Sequence, residues 1–237
     1  MPSEIAPIAR LFGQPARAAM CQALLADRAM TATELATVAG ISPATAAGHL
    51  RQLVDGGVLN VLSQGRHRYH RLAGAEVAEA LEALARLSPA VPIRTLKQSS
   101  AATALAEARS CYDHLAGRLG VRLYGSMLAT GVLAHQDGGL VLGPNQAPWQ
   151  RLGIDPAGQC AGRRPLLREC LDWTERRPHL AGVVAAELLT TLLGNGWLTR
   201  TSRPRALVLT SSGVAGLAEL DLLDGSHTAD RLTATAG

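Results

Sequence analysis

Between Thr31 and Gly57 the chain is punctuated in an order that few folds accept: TATELATVAG, then Ile41, then SPATAAGHLRQLVDGG. Thr31 or Thr33 can cap a short helix bearing Leu35 and Val38, and Gly40 closes it. Ser42 then stands as an N-cap with Pro43 at the first helical position. Leu50, Leu53 and Val54 face inward, and Gly56-Gly57 stops the helix. Two short helices joined through a glycine turn are the helix-turn-helix unit, whose second helix enters the DNA major groove. Upstream, PARAAMCQALLADRA puts Ala18, Cys21, Leu24 and Leu25 on one helical face, with Pro15 in the first turn. Downstream, VLNVLSQGRHRYHRL alternates apolar and polar residues on both sides of Gln64-Gly65, the pattern of a β-hairpin. Its tip and return strand carry Arg66, His67, Arg68, His70 and Arg71. A basic hairpin directly behind a recognition helix is a wing, able to reach phosphates or the minor groove.

Taken together, LFGQPARAAMCQALL, ELATVAGISPATAAGHLRQLVDGGVL and RHRYHRL resemble the arsenical-resistance-repressor (ArsR) family of winged-helix regulators over residues 4–88. The resemblance implies a homodimer whose first and last helices pair across a two-fold. The sequence supplies the surfaces: Ile5, Ile8 and Phe12 form one stripe, and Val77, Leu81 and Leu84 form another. Two copies would offer their recognition helices to a pseudo-palindromic double-stranded operator about one turn apart. The expected DNA-contacting residues are Ser42, Ala44, Thr45, Ala47, His49 and Arg51 on the helix and Arg66, His67 and Arg68 on the wing.

This chain departs from the family pattern in two respects. Pro43, Ala44, Ala47 and Gly48 stand where family recognition helices carry polar or basic side chains. Phosphate contacts, alanine–methyl contacts and groove shape are therefore expected to outweigh bidentate base readout, and His49 is as well placed to bond within the fold as to meet DNA. Metal-sensing members of the family often use cysteines on the first helix of the unit, or Asp and His on the final dimer helix. TATELATVAG has neither Cys nor His and AEVAEALEALARL has no His, so neither site can be built; Cys21 reads as a small core residue.

The rest of the chain is long enough for a second domain. With 47% apolar but only 3% aromatic residues, Ala- and Leu-rich helices are expected. The fold class is mainly α: a winged helix-turn-helix over 1–88, a linker at 89–98 with two prolines nearby, and over 99–237 a mostly helical effector-sensing domain with short β-hairpins. A net charge of +4 suits a polyanionic partner. MPSEIAPIAR lacks a signal pattern, and the apolar run at 183–193 is interrupted by Glu187 and short of a bilayer span, so a cytoplasmic protein without a membrane partner is expected. Cysteines at 21, 111, 160 and 170 show no CxxC spacing, and Cys160 sits in a Gly-rich loop as a surface residue.

Within that second domain a short word returns. CYDHLAG at 111–117 is echoed by CLDW at 170–173 and HLAG at 179–182, and each HLAG is followed by LVL after 26 and 28 residues (114 to 140, 179 to 207). An internal duplication of winged-helix-like units accounts for both markers; GWLTR and RALVLT would form a hairpin behind a helix. SSAATALAEARSCYDHLAGRLG reads as one helix, with Cys111 and His114 on a shared face and Glu107 one turn before. Pro178 reads as the start of another helix, which would fold His179 back toward Cys170. Cys111, His114, Cys170, Asp172 and His179 are thus candidates for a metal or redox site, taking zinc or another thiophilic metal, a metalloid, or closing a Cys111–Cys170 disulfide. Arg109, Arg168, Arg176 and Arg177 would stabilise thiolates if they point at them. The alternatives are a duplicated structural core and a pocket for a small organic effector.

The function read from the sequence is a dimeric, sequence-specific transcriptional regulator, a repressor released by an effector sensed in the C-terminal domain. No enzyme is expected: GGLVLG at 138–143 lacks the GxGxxG spacing of a dinucleotide or SAM site, although an enzyme domain fused to a DNA-binding head stays as an alternative.

Overall fold

The computed structural model describes residues 4–26, 28–88, 95–158 and 164–223. The chain divides into two compact units, Met1–Ala90 and Val91–Gly237. Residues 89–94 of the expected linker, and Cys160, lie outside the described residues. No described helix is long and apolar enough to cross a membrane.

The first unit runs α1 (Ala6–Phe12), α2 (Pro15–Leu24), β1 (Met30–Thr31), α3 (Ala32–Ala39), α4 (Pro43–Asp55), β2 (Leu59–Gln64), β3 (His67–Leu72) and α5 (Ala75–Leu87). Thr31 begins α3 with a reciprocal box: its hydroxyl accepts from the Glu34 amide at 3.3 Å, and the Glu34 carboxylate accepts from the Thr31 amide at 2.8 Å. Gly40 ends α3 in the left-handed region, and Ser42 then caps α4 by accepting from the Thr45 amide at 3.2 Å. Met20, Cys21, Leu24, Leu35, Leu50 and Leu53 form the buried centre of the three-helix arrangement. Strands β2 and β3 pair antiparallel around a tight turn, with Gln64 opposite His67, and β1 adds a third strand on the far side of β3. This is a winged helix-turn-helix. Val38 is 45% exposed, and His70 is buried, because the period-2 alternation of β3 turns His70 and Leu72 inward while Arg71 points out.

The second unit runs α6 (Leu96–Glu107), β4 (Arg109–Cys111), β5 (His114–Ala116), α7 (Gly117–Ala129), β6 (Leu133–Gln136), β7 (Gly139–Leu142) and α8 (Ala147–Leu152). It continues with β8 (Arg168–Leu171), β9 (Pro178–Ala181), α9 (Val183–Gly194), β10 (Leu198–Arg200), β11 (Leu207–Leu209) and α10 (Ser211–Glu219). Hairpin, helix, hairpin, helix therefore occurs twice in succession. Helix α6 starts inside the stretch expected to be linker.

Residues 99–120 are not one helix. Helical geometry ends at Ala108 (φ −152°), and Tyr112 at φ 60° turns the chain within two residues, so that Cys111 stands opposite His114 across a hairpin. Spacing i,i+3 fits both a helix face and the last pair of a two-residue hairpin, and an Ala-rich lead-in hides the difference. Pro178 likewise opens strand β9 rather than a helix; the first residue of a strand tolerates its missing N–H.

The two halves pack by exchange. Strand β5 lies against α9, β9 lies against α7, and β5 and β9 are neighbours. Leu119, Leu123 and Met127 along α7 and Val184, Leu188 and Leu192 along α9 repeat at four-residue spacing into one core that also holds Trp149. Burial on this scale stabilises each large side chain by about 1.5–3 kcal/mol.

The repeated HLAG explains itself here. His, Leu and Ala complete a strand, and the glycine makes the corner into the next helix. Gly117 has φ 80° and Gly182 has φ 103°, and a Cβ would stand 2.8 Å from the Ala106 carbonyl oxygen in the first and 2.6 Å from that of Leu166 in the second. The word thus encodes a strand-to-helix corner that only glycine fits.

Candidate functional site

Two sites carry the chemistry. On the first unit, Ser42, Ala44, Thr45, Ala47 and Arg51 of the capped helix α4 are all exposed, and so are Arg66, His67 and Arg68 at the wing. His49 differs. It is half-buried, with Nδ1 3.4 Å from Nη1 of Arg17, a residue that the sequence did not single out. Arg17 also donates to Gln52 Oε1 at 2.6 Å and to the Leu11 and Arg10 carbonyls at 2.8 and 2.7 Å, tying α1, α2 and α4 together.

On the second unit, the hairpins β4–β5 and β8–β9 each set a cysteine directly opposite a histidine: Cys111 faces His114, and Cys170 faces His179. The exchanged packing brings the two pairs together, and the four ligand atoms lie within 4.8 Å of one another. The sulfurs are 4.0 Å apart, in contact and unbonded, against about 2.05 Å in a disulfide. The imidazole centroids are 5.2 Å apart. His114 and His179 are 4% and 0% exposed and Cys111 is 3% exposed.

A carboxylate stands behind each imidazole. Asp113 Oδ1 lies 3.2 Å from His114 Nδ1, and Asp172 Oδ2 lies 3.5 Å from His179 Nδ1, long for a hydrogen bond. Each carboxylate is in turn held by an arginine from the other half. Arg164 grips Asp113 with both terminal nitrogens, one at 2.8 Å, and Arg109 donates to Asp172 at 2.8 Å from a position with no solvent exposure. Asp172 also accepts from the amides of Gly117, Thr174 and Glu175. With its oxygens so engaged, Asp172 stands beside the quartet of sulfurs and imidazoles rather than within it. Arg109, which would have stabilised a thiolate had it pointed at one, instead pairs with Asp172 and stacks on Trp173 at 4.5 Å. Glu107, expected near Cys111, instead pairs with Arg118 at 2.7 Å.

The electrostatics favour a thiolate at Cys170. Its contact with Cys111, against the opposing effect of burial and with help from His114 and His179, brings the thiol well below its ordinary pKa. Burial disfavours charge on His114, but Asp113 and Cys170 outweigh it and raise its pKa. Cys21 is the opposite case: burial pushes its thiol up to about 12, so it is an inert core group. The signal in the sequence for Asp113 was the Cys-x-Asp common to both halves. Nothing local announced Arg164.

Comparison with known proteins bears on the whole chain. A family model described as a helix-turn-helix domain matches residues 12–61. An uncharacterized HTH-type transcriptional regulator of Bacillus subtilis, YdfF, is 37% identical over 214 residues, which is 90% of this chain and 95% of that protein. Among solved structures, a homodimeric winged helix-turn-helix DNA-binding domain from Mycobacterium bovis is 28% identical, over 35% of this chain and 75% of that one, with a TM-score of 0.32. The cadmium metal-sensor CmtR from Mycobacterium tuberculosis is 27% identical, over 38% of this chain and 99% of that one, with a TM-score of 0.31. Capped recognition helix, basic wing and full-length relative define a DNA-binding transcriptional regulator. The chain belongs to the ArsR family of winged helix-turn-helix regulators.

Proposed function

We propose that the protein is a homodimeric repressor whose C-terminal unit adjusts operator affinity in response to a thiophilic metal ion or to thiol oxidation at Cys111, His114, Cys170 and His179. The observation that carries this reading is the convergence of those four side chains, from segments 59 residues apart (111 to 170), in a chain that also bears a winged helix. Dimerisation is supported by apolar side chains left outside the first unit's own core: Ile5 (70% exposed) and Ile8 (38%) on the α1 side, Leu84 (44%) and Leu87 (83%) on α5. The doubled element order supports descent of the second unit from a duplicated piece, with Cys-x-Asp and HLAG carried by both copies.

On DNA, Ser42, Ala44, Thr45, Ala47 and Arg51 meet the major groove, with His49 beneath them, and Arg66, His67 and Arg68 meet the backbone. Replacing Arg66 and Arg68 together with Ala should weaken binding to all duplexes and reduce the slope of log affinity against log salt by up to about two units. Fluorescence anisotropy across a salt series measures this, and an unchanged slope removes the wing from the interface.

The sensing step is tested by operator titration with Zn2+, with chelator and with mild peroxide. Operator affinity should change with at least one of these, and Cys111→Ser and Cys170→Ser should abolish the change while basal binding persists. Affinity indifferent to all three sinks the sensor reading.

A further inference from the structure

We infer that the quartet is a closed, tetrahedral Zn2+ site in which Cys111 Sγ, Cys170 Sγ and the Nε2 atoms of His114 and His179 are the ligands, and Asp113 and Asp172 are the carboxylates that position the imidazoles. It rests on the reading that the quartet is where the C-terminal unit takes its effector. The donor set comes first. Two sulfurs and two imidazole nitrogens are the complement of a tetrahedral d10 ion, whereas Mg2+ and Ca2+ require oxygen cages. The spacing agrees: Zn–S bonds of about 2.3 Å at a tetrahedral angle put two sulfurs about 3.8 Å apart, against 4.0 Å between Cys111 and Cys170.

The histidines are turned for the same purpose. Nδ1 of His114 stands 3.2 Å from Asp113, and Nδ1 of His179 is nearest Asp172 at 3.5 Å without a hydrogen bond; among the described residues the buried Nε2 atoms of both also lack a hydrogen-bond partner, which makes Nε2 the nitrogen facing away from the carboxylate and open to a metal. The neighbour both imidazoles share is the Cys170 sulfur. A carboxylate on the far nitrogen of a ligating histidine fixes its tautomer and raises its basicity. Here the arrangement is made twice, once per half.

Charge closes the account. Arg164 and Arg109 already neutralise Asp113 and Asp172. Two thiolates with one dication then leave a buried centre of no net charge. Binding exchanges two protons of the Cys–His quartet for Zn2+, releases them to solvent so that both sulfurs bind as thiolates, and involves no oxidant. Because the protein supplies all four ligands, no position is left for water or substrate, and the ion acts as a clasp between β4–β5 and β8–β9.

The test uses the full-length protein, purified in reductant and stripped of metal. Zn2+ titration should reach one ion per chain, and Co2+ should give the intense visible absorption of a tetrahedral centre with thiolate charge transfer. Cys170→Ser should weaken that thiolate signature and Cys111→Ser with Cys170→Ser together should abolish it, Cys21→Ser should keep the stoichiometry of one, and Asp113→Asn should weaken Zn2+ affinity roughly 10- to 100-fold in a competition assay with a chromophoric chelator. Folded, reduced protein that takes up no Zn2+, or a Co2+ spectrum that stays weak and octahedral, overturns the site. Operator affinity measured on the same samples separates the two readings. One tightly held Zn2+ with unchanged DNA binding keeps the site as a structural clasp and rejects sensing; a DNA response to peroxide without any metal uptake rejects the site and keeps sensing.

Discussion

Asp172→Ala should cost the second unit about 3–5 kcal/mol. Its partner Arg109 has no solvent exposure, and removing the carboxylate strands a buried guanidinium together with the Gly117 and Thr174 amides. Burial works against the ionised carboxyl of Asp172, but Arg109, Thr174 and the Gly117 amide hold its pKa well below the usual carboxylate range. A depressed folded-state pKa contributes stability that is present above the unfolded value of about 3.9 and is lost as pH falls toward the folded one. Urea unfolding of the metal-free protein should therefore show a gap between parent and variant that is full at neutral pH and narrows below about pH 4. Trp149, Trp173 and Trp197 all lie in the second unit and supply the signal for it alone. A gap under about 1 kcal/mol at neutral pH would mean that the pair is solvated.

Gly117→Ala and Gly182→Ala should each destabilise the same unit by about 2–4 kcal/mol. Both glycines have positive φ, and a methyl group at either would meet a carbonyl oxygen closer than 3.0 Å, in backbone that belongs to the neighbouring segment. Gly182 is the more demanding, since φ 103° with ψ −171° is open almost to glycine alone. The contrast is Gly138→Ala, at a hairpin tip with φ 76° and open space where the new methyl group would stand, so that only the conformational cost applies. Thermal unfolding followed by tryptophan fluorescence orders the three variants, and Gly138→Ala as damaging as the other two would show that close approach is not the cause.

The first unit was legible because each of its signals is local. Thr31 with Glu34, Ser42 with Pro43, and Gly40 and Gly56 mark helix ends through the backbone groups next to them, and Gln64-Gly65 marks the wing turn, so their meaning survives without tertiary context. The exposure of Val38 and the burial of His70 are not marked locally, because they depend on what the opposite surface covers.

The second unit was legible only as words. CYDHLAG and CLDW with HLAG announced that Cys111, His114, Cys170 and His179 belong together, yet the segment that carries the first pair reads as helix, because three residues separate two helix neighbours and also the closing pair of a tight hairpin. Which of these holds is decided by the left-handed turn at Tyr112 and by the strand partners, and those depend on contacts far along the chain: β5 on α9, β9 on α7, and the Asp113–Arg164 and Asp172–Arg109 pairs reaching from one half to the other. The winged helix and the repeated donor set are readable from residue order alone, since capping, turn chemistry and residue type are written within a few positions. That the two donor pairs meet is a matter of packing, because bringing side chains 59 residues apart (111 to 170) to within 4.8 Å follows from how the two halves bury each other's hairpins, and no local preference encodes it.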